Sequence, residues 1–199
     1  VGTLAFSTSF AQKRVDADED NTKTKQAQAV SKDVYEDIQK AQELVDGKDY
    51  NGALRLLNNL YNPDKLTEYE QANVLNYIGF VYYNMDDVKN ALRTYERMLA
   101  IPTLEPQMAK QTTYTMVQLL TMDEQYSKAL TTLEKWFLLE PNPAPEPYIL
   151  KAQNLYQVQR YKEMVEPIET AMRIANERDK PVKEDWWNLL NFAYFQQED

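Results

Sequence analysis

The sequence predicts an all-α protein organised as a helical solenoid, and three observations carry that expectation. Only four glycines stand among 199 residues, beside fourteen tyrosines and many Leu, Ala, Gln and Glu, a composition of helices rather than turn-rich sheet. One pattern recurs along the chain: Gly47-Lys48-Asp49-Tyr50-Asn51-Gly52-Ala53-Leu54, then Asp86-Asp87-Val88-Lys89-Asn90-Ala91-Leu92, then Glu124-Gln125-Tyr126-Ser127-Lys128-Ala129-Leu130. Its alanines, Ala53, Ala91 and Ala129, stand 38 residues apart, and a fourth copy, Gln159-Arg160-Tyr161-Lys162-Glu163-Met164-Val165, follows at 35. The repeating unit is a helix, a tight turn and a second helix whose first turn presents a small residue, and self-similarity at this period marks a helical solenoid.

From the N-terminus, residues 1–11 form an uncharged stretch ending Ser9-Phe10-Ala11 before Gln12-Lys13-Arg14. Small residues three and one before a cut are what signal peptidase requires, so this reads as the remnant of a secretory signal, cleaved after Ala11. The competing reading is a disordered start of a cytosolic protein. No cysteine follows to carry a lipid anchor, and no run approaches the ~20 apolar residues of a membrane span. Residues 12–27 are polar and mixed in charge, a tether with too little apolar area to order itself. Asp16, Asp18 and Asp20 alternate as calcium-loop ligands do, but Asn21 and Ala27 stand where the glycine and the bidentate Glu belong, so a solvated charge run is preferred.

Residues 28–199 are expected to form the repeat domain, with units at about 31–65, 69–103, 107–142 and 145–180 and a half unit at 183–199. The extra residues of the first two periods should lengthen helices or the turns near Pro63, Pro102 and Pro106. Pro141, Pro143, Pro145 and Pro147 predict a rigid extended connector between the third and fourth units.

Composition also narrows the function classes. The chain has 31 acidic and 22 basic side chains, a net charge of -9, and neither cysteine nor histidine. That removes thiol nucleophiles, disulfides, histidine general bases and the commonest zinc and iron ligand sets. The acidic balance argues against nucleic acid and against anionic membrane surfaces. Ser127 beside Lys128 is no catalytic pair, because helix neighbours point in different directions. Asp86-Asp87 suits a tight turn and helix start, and Glu163 with Glu166 an outer face. No glycine-rich phosphate loop exists. The expectation is a protein that is not an enzyme and needs no cofactor; a hydrolase using carboxylates alone would need two converging acids that the sequence does not offer.

Leu75, Ile78, Gly79 and Tyr82, then Ala91, Tyr95, Met98 and Pro102, resemble the tetratricopeptide repeat, with its Trp-x2-Leu-Gly-x2-Tyr first helix, alanine, aromatic and closing proline. Thr113, Met116, Val117, Leu120, Ala129, Leu133, Trp136 and Pro141 form a third copy, and Tyr148, Ala152, Leu155, Tyr161, Met164, Ile168 and Ala171 a fourth. Trp187, Leu190 and Tyr194 begin a fifth, and Ile38, Ala41, Leu44, Ala53, Leu57 and Leu60 form the first. The resemblance implies a right-handed α-solenoid of antiparallel helix pairs, about four repeats plus one extra helix. Val117 and Asn191 break the small-residue rule and predict looser packing. Tyr82, Tyr95, Tyr126, Trp136 and Trp187 are expected in the core.

In such arrays the first helices line a groove that holds a peptide or a helix of a partner. Steps along those helices away from the core place Asn73, Asn76, Phe80 and Tyr83, then Tyr114, Gln118 and Thr121, then Ile149, Gln153 and Tyr156, with Phe192 and Phe195 extending the row. Amides that donate and accept suit an extended main chain, and aromatics supply flat apolar area. Phe80, Tyr83, Tyr114 and Tyr156 suit packing between repeats equally well. The near-absence of Lys and Arg on this face disfavours the carboxylate-clamp mode of chaperone-tail binding.

Three stretches are more particular: residues 76–83, residues 145–153, and Arg178-Asp179-Lys180-Pro181-Val182-Lys183-Glu184-Asp185-Trp186-Trp187. From about residue 30 onward the chain resembles the exported tetratricopeptide proteins that accompany TonB, ExbB and ExbD energy-transduction systems of Gram-negative bacteria. This implies a periplasmic, non-catalytic accessory factor for uptake of iron chelates, contacting TonB, ExbD or a TonB-dependent receptor. A second reading is an assembly factor for outer-membrane proteins or for a secretion or pilus complex. Trp186 and Trp187 point roughly 100° apart on a helix, so one is expected at the surface; Trp186 is the candidate partner anchor, as tryptophans are at hot spots. A homodimer through the last helix is a further expectation.

Overall fold

A computed structural model describes residues 29–196; the expected signal remnant, its cleavage at Ala11 and the tether of residues 12–27 lie outside the described residues. Within them the chain is helical and without strands, and it divides into two compact units at Thr112 and Thr113.

The first unit holds α1 (Lys32–Asp46), α2 (Tyr50–Leu60), α3 (Glu68–Asn84), α4 (Val88–Leu99) and the start of α5 (Pro106–Met122). Val34, Ile38, Ala41 and Val45 recur at helical spacing on α1 and pack with Ala53 and Leu57 of α2 and Val74, Ile78 and Val81 of α3. An apolar stripe on each helix drives this packing, and α3, which also buries Ala72, Leu75 and Gly79, is covered on more than one side. Asp49 and Asp87 cap α2 and α4, their carboxylates accepting from the backbone N–H of Gly52 at 2.8 Å and of Asn90 at 3.1 Å. Thr67 and Glu70 form a reciprocal capping box at the start of α3.

Glu70 reaches further than its own helix. Its carboxylate also accepts from the backbone N–H of Ser31, the residue before α1, at 2.9 Å, and from the Thr67 N–H at 2.9 Å. One buried side chain thus ties the starts of α1 and α3 together.

The second unit holds the rest of α5, then α6 (Tyr126–Leu139), α7 (Pro145–Gln157), a 3-10 turn (Tyr161–Met164), α8 (Val165–Glu177) and α9 (Glu184–Phe195). Its larger core joins Ile149, Ala152 and Leu155 of α7 to Ile168, Ala171, Met172 and Ala175 of α8 and Trp186, Leu190 and Ala193 of α9. The proline connector is shorter than its sequence suggests. Pro145 and Pro147 lie in the first turn of α7, where N–H groups have no intrahelical acceptor and a missing one costs nothing. The extra residues of the long periods sit mainly in first helices, 17 residues in α3 and α5 against 13 in α7. Val117 does not loosen the third pair, being fully buried with Leu133 and Trp136.

The turn from first to second helix within each pair, and the turn from α8 to α9, use one device. Lys48, Asp86, Glu124, Gln159 and Asp179 all take positive φ, between 52 and 62°, and the next residue donates its N–H to a carbonyl five residues back, as Asp87 does to Tyr82 at 2.9 Å and Arg160 to Leu155 at 2.9 Å. These are Schellman closures built on non-glycine residues, each in a conformation that a Cβ disfavours by roughly 1–2 kcal/mol.

Three predictions arise here. Gln159→Gly should raise stability by about 1 kcal/mol, seen as a higher Tm by circular dichroism, because relief of the left-handed conformation exceeds glycine's entropy cost. Gly79→Ala should destabilise by about 1–3 kcal/mol in urea titrations, since a Cβ there would sit 2.6 Å from the ring of fully buried Tyr95; Tyr95→Leu in the same chain should recover part of that loss. Burial alone raises the Glu70 carboxyl, but the hydrogen bonds from Ser31 and Thr67 together outweigh it and hold it below its ordinary value of 4.5. Its stabilisation is therefore complete above pH 4.5 and disappears as pH falls through the folded-state value, so Glu70→Gln should lower stability at neutral pH and flatten the acid-side decline.

Candidate functional site

The uncharged cleft of the second unit is built from the C-terminal turns of two first helices. α5 ends at Met122 and α7 at Gln157, so each carries its last exposed residues to the same end of its helix pair. Thr121 of α5, Tyr126 at the start of α6, Gln153, Tyr156 and Gln157 of α7 and Leu189 of α9 line a cleft of about 360 Å³. None of the six bears a charge; they offer two amides, two phenols and a hydroxyl, groups that both donate and accept.

Behind the wall lies a satisfied polar knot. Asn154 is fully buried, and its amide nitrogen donates to the Leu150 carbonyl at 2.8 Å and to the Thr121 hydroxyl at 3.0 Å. The Thr121 hydroxyl lies 3.0 Å from the Val117 carbonyl. This fixes α5 against α7 at the depth where Thr121 meets the cleft. A buried amide without partners would cost about 1–3 kcal/mol, so the pair sets the register of the two helices.

One rim is aromatic. Tyr156 meets Phe192 with ring centroids 5.1 Å apart and Tyr161 at 5.9 Å, while Tyr161 and Phe192 meet edge to face at 5.3 Å. Edge-on rings at these distances attract through their quadrupoles, so the rim is preformed.

Of the residues that the sequence proposed for a groove, Thr121, Gln153 and Tyr156 come together here, with Phe192 half-buried behind Tyr156. Gln118 and Tyr114 are half-buried on α5. The Tyr114 ring packs on Trp136 at 4.8 Å, and burial, with the Glu146 charge second, pushes its phenol up to about 12. Asn76, Phe80 and Tyr83 form a half-buried row on α3 in the first unit.

Three proposed residues prove to be interior. Asn73 is 5% exposed and its amide donates to the Tyr69 carbonyl of its own helix at 2.8 Å, which satisfies it without a ligand. Ile149 is part of the larger core of the second unit. Trp186, the candidate anchor, is 5% exposed and packed in that same core, with the Lys183 ammonium 5.6 Å from its ring. Its neighbour Trp187, expected inside, is 52% exposed. Tyr82 and Tyr126 are only half-buried, unlike Tyr95 and Trp136. Phe195 stays 65% exposed, on a different stripe of α9 from Phe192.

Sequence reasoning missed Gln157, Leu189 and Asn154. The first two sit where a helix ends or a distant one returns, and Asn154 carried a signal in retrospect: an amide between Ala152 and Leu155, both buried. Among the described residues no group of three or more acidic side chains is placed to hold a metal ion. No described helix is long and apolar enough to cross a membrane.

No protein-family model matches the chain, and no curated protein is similar to it in sequence. Solved structures are similar in shape. A double mutant of MamA RS-1 superposes with a TM-score of 0.65 at 18% identity, over 86% of this chain and 88% of that one. MamA from Desulfovibrio magneticus RS-1 gives 0.61 at 17%, over 86% and 89%. The apo form of RapI gives 0.69 at 15%, over 83% of this chain and 49% of that one. At such identities the likeness is one of fold. MamA and RapI are helical-repeat proteins of the tetratricopeptide type, and this chain shares that fold, an all-α solenoid of antiparallel helix pairs.

Proposed function

We propose that the protein is a non-catalytic interaction scaffold that holds an uncharged, extended segment of a partner protein in the cleft between α5, α7 and α9. The observation that carries this is the chemistry of the wall: Gln153 and Gln157 with Tyr126, Tyr156 and Thr121 around one apolar side chain, Leu189, and no charged group among them. Amides and hydroxyls pair with a peptide main chain in either polarity, while the rim of Tyr156, Tyr161 and Phe192 offers apolar area to its side chains. Partner binding on the helix faces is the general use of repeat solenoids.

The reading extends to a context. The stretch from Arg178 to Trp187 and the two other family-like segments support a periplasmic setting, with TonB, ExbD or a TonB-dependent receptor as the partner and iron-chelate uptake as the process served. In that setting the protein is an exported accessory of the energy-transduction complex. Outer-membrane or secretion assembly machinery is the competing partner class, and it shares the same cleft.

Photocrosslinking amino acids at Gln153 and Tyr156 test both levels, with Lys135 as the control. Lys135 is exposed on α6, and nine residues on from Tyr126 it faces the opposite side of that helix. Capture of TonB, ExbD or a receptor from the two cleft positions alone is expected, and Tyr156→Ala should weaken capture by about tenfold, as loss of a partly buried aromatic does. Capture of assembly machinery from the cleft would overturn the context and keep the site. Capture that is equal from Lys135 would overturn the site.

A further inference from the structure

What the walls of the cleft leave unpaired narrows its occupant. The amides of Gln153 and Gln157 and the phenols of Tyr126 and Tyr156 line it, and among the described residues none of these four side chains hydrogen-bonds to another group of the chain. Asn154 and Thr121 beneath them are instead engaged with each other and with the carbonyls of Leu150 and Val117. The open polar groups are therefore two amides and two phenols, and every one of them is able to donate. Beside these donors, Tyr156 packs with Tyr161 and Phe192 into one aromatic surface.

We propose that the cleft takes a neutral, proline-rich segment of the partner in the polyproline II conformation; this rests on the cleft being a peptide site and narrows it to one backbone form. Three forms compete. A helix satisfies its main chain internally, so it would leave the four donors facing a closed backbone. A β-strand docks by adding to a sheet edge, and the described residues form no strand. A polyproline II chain has no internal hydrogen bonds, and its carbonyls stand outward to be met by donors. Each proline also removes an N–H from the chain, so such a segment calls for donors and few acceptors, which is what amide N–H and phenol O–H groups provide.

Spacing, rings and charge agree with that occupant. Gln153 and Gln157 stand one turn apart on α7, roughly 5–6 Å, close to the separation of carbonyls two residues apart in a chain that rises about 3.1 Å per residue. Pyrrolidine rings pack on aromatic faces and return to the same side every third residue, so one proline rests on Tyr156 and another lies one turn further along. No charged side chain lines the cleft; an ionised residue brought into it would lose water without gaining a partner. The aromatic surface does not form a cage for a cation, because its ring centroids are only 5.1 to 5.9 Å apart and the rings touch one another where an ammonium would have to sit. A proline-rich chain is also extended before it binds and loses little freedom on docking.

The probe is decaproline with blocked ends, and the control is a blocked decapeptide of alternating Thr and Ala, equally neutral but free of proline. Each is titrated into the isotope-labelled full chain and followed by nuclear magnetic resonance. Decaproline should shift the side-chain amide signals of Gln153 and Gln157 and bind about tenfold more tightly than the control, through its lower ordering cost. Tyr126→Phe and Tyr156→Phe, which remove only a hydroxyl, should each weaken binding about fivefold, the effect of one hydrogen bond. Gln157→Glu, which sets an acceptor-only group against the carbonyls of the segment, should weaken it by about tenfold. Equal affinity for the two peptides at the cleft would overturn the polyproline form and keep the peptide site. Decaproline that shifts no cleft signal, or that binds all three variants as it binds the parent chain, would overturn the proposal, and crosslinking from Gln153 and Tyr156 then decides separately whether the cleft holds another kind of segment. Gln157 and Tyr156 are exposed and Tyr126 keeps its ring, so circular dichroism should find every variant folded.

Discussion

The close approach of paired helices at small residues is the constraint on which the rest of this structure depends. Ala41, Ala53, Ala91, Ala129 and Ala152 are all essentially without exposure, each at a point where a bulkier side chain would hold two helix axes apart. At Gly79 the space is taken by the ring of Tyr95, the largest fully buried side chain of the first unit. An aromatic can lie flat there only because glycine presents no Cβ, and burial in turn raises the phenol's pKa well above its ordinary value. Where the small residue is replaced by Val117, the pair compensates by packing it against Leu133 and Trp136.

Turns and caps make that approach reproducible. The same left-handed residue and the same backbone closure recur between helices, so each pair turns in the same way although the residue in the strained position is Lys, Asp, Glu or Gln. Asp49 and Asp87 then start the second helices with the same cap, although the residue three on is Gly52 in one and Asn90 in the other. Glu70 does comparable work between α1 and α3. These polar contacts contribute little to the hydrophobic balance, but they remove alternatives in which a helix starts one residue early or late.

The cleft of the second unit is a product of this scaffold. Helix ends must stop somewhere, and in the second unit the stops of α5 and α7 leave a wall whose polar groups are neutral and two-sided in hydrogen bonding. Asn154 and Thr121 show how the wall is held: a buried amide is spent on alignment rather than on a ligand.

Much of the fold was legible from the chain alone, because helical period, turn residues and small-residue positions are local properties that recur at a fixed spacing. The period identified the helix pairs, the alanines marked the contact points, and the first-helix residues Thr121, Gln153 and Tyr156 were picked out by stepping along one helix. What local pattern cannot decide is which neighbour covers a given face. The repeat pattern put Trp187 in the core and Trp186 at the surface, and the packing of α9 on α8 has them the other way round. Asn73 and Asn76 are one turn apart on α3, yet tertiary packing closes over the first and leaves the second half-exposed. Pro145 and Pro147 satisfy a connector and a helix start equally well in sequence, and the core contacts of Ile149, Ala152 and Leu155 settled the choice by rewarding an early start of α7. Burial is a property of pairs of elements distant in the chain, so it belongs to the tertiary structure; periodicity is a property of one element, and the sequence by itself determined it.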